Sequence, residues 1–178
     1  MPTPTPTPVP AHRAVVVHAA DAEVLDGPSP MRLLADSDAF GGALSVSSGR
    51  IAAGTALAKP HLHVRSWEVF HVLDGALEML LDEEVVTVGR GGLVAVPPGV
   101  VHAFGAAPDG PAELLVLITP GVRRFDYFRA LPRVLRGELA PEELAGMQEV
   151  YDVHFRESPL WERTLAARRA AGPRVREA

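Results

Sequence analysis

Two short stretches of this chain carry side chains suited to chemistry: His61-Leu62-His63 followed by Glu68, and Pro97-Pro98-Gly99 followed by His102. Histidine occurs seven times in 178 residues, and three of the seven fall in these two contexts. Residues two apart on a β-strand share a face, so His61 and His63 are expected to project together. Glu68 has the wrong parity to join them on the same straight strand. It is expected beyond a bend at 64–66, on a strand that pairs with the first. The Pro-Pro-Gly turn delivers His102 onto a further strand. Three imidazoles and one carboxylate converging inside a barrel make a site for a divalent transition metal. The chain has no cysteine, which excludes disulfides and thiolate ligands and leaves nitrogen and oxygen to hold any metal.

The elements that must bring these side chains together are short strands. Runs at 14–18, 32–35, 43–53, 67–73, 77–81, 84–88, 93–96, 101–104 and 114–119 are rich in Val, Leu and other strand formers. Turn residues sit between them, including Asp26-Gly27-Pro28, Gly41-Gly42, Asp74-Gly75, Gly89 to Gly92 and Pro108 to Pro111. This spacing predicts an all-β antiparallel sandwich or barrel. After Pro120-Gly121 the texture changes: 123–131, 141–151 and 159–171 have helical spacing, with Ser158 as an N-cap. The leader at 1–11, with proline at nearly every second position, supports neither helix nor ladder. The expected organisation is a disordered leader at 1–11, a barrel at 12–122, a helical cover at 123–171 and a frayed tail at 172–178.

With Glu68 pointing inward, Phe70 and Val72 share its face, and Phe104 shares that of His102. Leu77, Met79 and Leu81 form a second inward row. Phe70, Met79 and Phe104 therefore line either a closed core or an apolar small-molecule pocket. His71 falls on the outward face and reads as structural. Lys59, the only lysine, reads as a solvated loop residue. His12, His18 and His154 have no partner that sequence identifies.

Composition narrows the function classes. The formal charge is −5 and the pI about 5.8, so neither nucleic acid nor an anionic membrane is expected as a partner. Residues 1–122 carry 6 basic and 13 acidic side chains, and residues 123–178 carry 11 and 9. The arginines of the second part alternate with carboxylates, as on a solvated helical surface. With neither a secretory signal nor an apolar run of about 20 residues, a cytoplasmic protein that takes a small-molecule substrate is expected.

The two stretches resemble the paired motifs of the cupin superfamily, whose fold is a jelly-roll barrel, the double-stranded β-helix. The first is framed by Gly54 and Gly75, and the second opens at Gly91. The resemblance implies that His61, His63, Glu68 and His102 hold one divalent transition metal per chain: Fe, Mn, Ni, Co, Cu or Zn. Ala106 departs from the pattern, where an asparagine that is not a ligand is usual. Glu68-Val69-Phe70-His71-Val72-Leu73-Asp74-Gly75 is similar to the corresponding segment of bacterial single-cupin quercetinases, the flavonol dioxygenases. So are Thr119-Pro120-Gly121, the aromatic stretch with Phe125, Tyr127 and Phe128, and Tyr151-Asp152-Val153-His154-Phe155. This likeness implies a C-terminal helical extension to the barrel, a homodimer, and dioxygen as co-substrate. It also implies Glu68 as the catalytic base toward a flavonol-like or other enolisable aromatic molecule. The same ligand set serves non-redox cyclases and isomerases, and cupins that bind a small molecule without turning it over.

Overall fold

A computed structural model of the chain describes residues 14–140, 142–143 and 146–171. The proline-rich leader at 1–11, His12 and the tail at 172–178 lie outside the described residues, as do parts of the expected 141–151 helix. The described residues form ten strands: β1 (Glu23–Leu25), β2 (Met31–Ala35), β3 (Ser45–Ile51), β4 (His61–Leu62), β5 (Trp67–Leu81), β6 (Glu84–Gly89), β7 (Leu93–Val96), β8 (His102–Ala106), β9 (Ala112–Thr119) and β10 (His154–Phe155). After the ninth strand come the helices α1 (Phe125–Leu135), α2 (Gln148–Tyr151) and α3 (Pro159–Ala171). No helix among the described residues is long and apolar enough to cross a membrane.

Every strand pairing among the described residues is antiparallel, in the order β1-β2-β3-β9-β5-β8-β4-β10, with β6 and β7 also on β5. Strand β5 organises the barrel. Its first half pairs with β7 and β9, and its second half with β6 and β8, so one strand belongs to two sheets. Between Val72 and Asp74 the register slips by one residue. The extra residue reverses parity: Glu68, Phe70 and Val72 are buried before it, Leu77 and Met79 after it. Phe70, Val72, Leu77, Met79, Val96, Phe104 and Leu114 form the core between the two sheets.

The structure therefore corrects the expectation of a turn at Asp74-Gly75. What sequence shows as a break is a bulge in a continuous strand. Gly75 adopts φ +73°, and a Cβ there would lie 1.9 Å from the Pro111 carbonyl oxygen. Only a residue without a side chain lets the two backbones meet. The expected strand at 14–18 is also absent. Val15, Val16 and Val17 are exposed, since no strand among the described residues offers them a ladder. The unexpected β1 forms because it zips onto β2, Glu23 opposite Leu33.

The helices cover apolar surface that the sheets leave. On the outer face of β5 and β8, Leu80 and Ala103 are buried by Trp161 of α3, itself 2% exposed. Arg168 of α3 lies over the Trp161 ring at 5.2 Å and forms an ion pair with Glu78 of β5. Ser158 caps the start of α3, its hydroxyl accepting the Trp161 N–H at 3.2 Å. Helix α1 joins Tyr127 to Val153, with Phe128, Leu131, Tyr151 and Phe155 around them.

The Gly75 contact makes a direct test. Gly75→Ala is expected to lower the unfolding free energy by at least about 2 kcal/mol, from the left-handed backbone and the overlap with Pro111. Urea denaturation of the purified variant against wild type measures it, and a loss below about 0.5 kcal/mol would show that the bulge is not constrained.

Candidate metal centre

The three histidines and Glu68 meet inside the barrel, each buried, with one ligand atom from each within 4.8 Å of all the others. They come from both sheets. His61 on β4 stands directly opposite His102 on β8, which puts both rings on one face, their centroids 4.3 Å apart. His63 follows just after β4, and Glu68 reaches across from the other sheet. The bend at Val64 and Arg65 that separates Glu68 from the histidines is present. The expected pairing of its strand with that of His61 is not: β8 lies between β4 and β5. A barrel brings first and second strands together through the strand that sequence places third.

Glu68 Oε2 lies 2.8 Å from His102 Nε2, 2.9 Å from His63 Nε2 and 3.9 Å from His61 Nε2. The other nitrogen of every ring is already committed. Nδ1–H of His61 donates to the Lys59 carbonyl at 2.8 Å, that of His102 to the Val100 carbonyl at 3.0 Å, and that of His63 to the Asp152 carbonyl. A carbonyl only accepts, so each Nδ1 carries a proton, and it is Nε2 that faces the carboxylate and can give a lone pair to a cation. Three lone pairs and an anion facing one point are the donor set of a divalent cation, with the outer hydrogen bonds setting each tautomer.

Electrostatics agree. Burial, reinforced by the neighbouring His102 ring, pushes the His61 pKa from 6.5 down to about 3, so this ring is neutral. Burial alone would raise the Glu68 pKa, but hydrogen bonds from His102 and His63 outweigh it and hold the carboxyl well below the usual carboxylate range. Glu68 is thus ionised and available as an anionic donor.

Two residues that sequence reasoning gave no role complete the centre. Asp152, 1% exposed, accepts the backbone N–H of Val64 at 2.8 Å, Arg65 at 3.1 Å and Ser66 at 3.1 Å. It thereby holds the bend between His63 and Glu68, while its carbonyl orients His63. Strand β10 pairs with β4 immediately beyond it. The second residue is Arg124, 3% exposed, its Nη1 3.5 Å from His63 Nε2 and 3.9 Å from Glu68 Oε1. Both arrive from the C-terminal extension, and no spacing in the sequence signals where their side chains end up.

The other expected residues are placed as follows. Phe70 is fully buried, its ring 4.8 Å from Phe104 and 6.4 Å from His102. Met79 is fully buried opposite Phe104, and Phe104 is the most accessible of the three at 9%. His71 stays outside the cluster, bonded to the Gly92 carbonyl at 3.2 Å. Lys59 is exposed and contributes only its carbonyl. Ala106, where the motif usually has asparagine, is buried, its N–H bonded to the Thr55 carbonyl at 3.0 Å. The turn before His102 is fastened to His63, whose carbonyl accepts the Gly99 N–H at 2.8 Å.

The family pattern of the cupin domain matches residues 48–118, which run from β3 to β9 and contain all four residues of the cluster. That stretch is a cupin domain. Among solved structures, KdgF from Halomonas sp. is similar at a TM-score of 0.54 and 20% identity, over 65% of this chain and 99% of that one. FeII HppE gives 0.53 and 19%, over 60% and 61%. The polyketide cyclase RemF from Streptomyces resistomycificus gives 0.50 and 22%, over 61% and 80%. At such identities these likenesses establish the fold. No curated protein sequence matches this chain.

Two outcomes are expected. Asp152→Ala frees both the bend and the His63 ring, and metal affinity measured by competition with a chelator should fall by about 10–100-fold. In the metal-free protein, His61 stays neutral when folded but takes up a proton below about pH 6.5 when unfolded. Its contribution is therefore complete above pH 6.5 and is lost as pH falls toward 3. Between pH 6.5 and 5 the loss should be about 2 kcal/mol by chemical denaturation, and His61→Gln should flatten the slope.

Proposed function

We propose that this cupin is a metal-dependent dioxygenase acting on a flavonol-like or other enolisable aromatic small molecule. The observation that carries the reading is Glu68: an ionised, buried carboxylate whose Oε2 faces three imidazole nitrogens, while no hydrogen bond reaches Oε1 among the described residues. His61, His63, His102 and Glu68 would hold the metal. A divalent transition metal there would supply Lewis acidity to a substrate hydroxyl and, in a redox-active case, a partner for dioxygen.

Oε1 is the atom placed to accept the substrate proton. A carboxyl held this far below its ordinary range is a weak base, so it suits a proton that is already acidic, such as that of an enol. Phe70 and Phe104 pack against each other beside His102, with Met79 behind them, and would be the apolar surface nearest a bound ring. Strand β10 pairs with β4 beside His61, and with the apolar cluster of α1 it would help to keep water from a reactive anion.

The test is dioxygen uptake by protein of known metal content, loaded separately with iron, manganese, cobalt and nickel and offered a flavonol panel. Uptake should match substrate loss, and Glu68→Gln should lower kcat by about 100-fold or more. No uptake by a fully loaded protein would sink the dioxygenase reading and leave non-redox cyclase or isomerase chemistry on the same centre.

A further inference from the structure

Arg124 is a buried cation whose one ion pair among the described residues is a long one, to a carboxylate that the metal cluster also claims. Its nearest carboxylate oxygen, Glu68 Oε1, stands 3.9 Å away, beyond hydrogen-bond distance, and its Nε has no partner among the described residues. Burying a guanidinium in this way is costly unless something answers its charge. The surroundings hold it there nonetheless. Its backbone N–H and that of Phe125 are bound by the Asp36 carboxylate at 3.2 and 3.3 Å, and its guanidinium lies 5.8 and 5.5 Å from the Tyr127 and Phe128 rings.

Charge counting sharpens the point. A divalent metal held by neutral imidazoles and one carboxylate leaves one positive charge, and Arg124 adds a second. The Asp152 carboxylate is directed at the backbone N–H groups of Val64, Arg65 and Ser66 rather than at the guanidinium. We propose that Arg124 anchors the substrate as an anion: the site takes a small molecule bearing a carboxylate or ionised enol next to the oxygen it presents to the metal. Nη1, 3.5 Å from His63 Nε2, is within reach of any oxygen that enters the donor cluster. Arg124 lies beyond the matched cupin domain, so the extension supplies the selectivity that the barrel lacks.

This inference rests on the metal reading above, and the experiment separates the two. Wild type, Arg124→Gln and Arg124→Lys are titrated first with cobalt(II), then with glycolate and its neutral counterpart glycolamide, following the visible absorption of the bound cobalt. Metal affinity in Arg124→Gln should stay within about threefold of wild type or improve, because a repelling charge is gone. Glycolate affinity should fall by about 10–100-fold, partly recovered in Arg124→Lys, with glycolamide unaffected. A wild type that takes up no cobalt would overturn the metal reading and this one with it. A normally loaded variant with unchanged glycolate affinity would overturn the role of Arg124 alone. So would a tenfold loss of metal affinity, which would make Arg124 a clamp on Glu68.

Discussion

Three imidazole lone pairs meet one carboxylate in a volume closed to water, and everything around them is arranged to make that meeting tolerable. Each of these groups costs free energy to bury, and every Nδ1–H is already bonded to a carbonyl, so only the Nε2 atoms and the carboxylate are left to answer one another. Such a cluster persists only if the chain around it is rigid and a cation answers the converging donors. The tight turn at Pro97-Pro98-Gly99, the bend after His63 and the continuous strand β5 all serve that rigidity.

Strand β5 shows how one local irregularity organises two sheets. Without the slip between Val72 and Asp74, the parity that turns Glu68, Phe70 and Val72 inward would turn Leu77 and Met79 outward. The bulge lets a single strand line the metal end of the barrel with a ligand and the other end with core. Gly75 permits it because the Pro111 carbonyl occupies the space a side chain would need.

The C-terminal extension does more than shield apolar surface. Asp152, held in a left-handed conformation at φ 53°, points its carboxylate at one loop and its carbonyl at one histidine. Arg124 enters from the start of α1, whose backbone is tied to Asp36 in the loop after β2. The candidate metal centre is thus built by the barrel and flanked by residues far away in sequence.

The groups able to do the chemistry, and the strand pattern that carries them, are legible from the order of residues alone. His61, His63, Glu68 and His102 stand out because a period-2 strand and a Pro-Pro-Gly turn are local rules, and absent cysteine leaves few donor types. The bounds of β7 and α3 are legible for the same reason. The order of strands, the bulge that resembles a turn, the missing strand at 14–18 and the roles of Asp152 and Arg124 emerge only in three dimensions. Each depends on what lies opposite: a backbone oxygen beside Gly75, an absent partner beside Val16, a loop beside Asp152, a buried anion beside Arg124. Local pattern specifies which way a side chain points from its own element, and only tertiary packing specifies what it meets there.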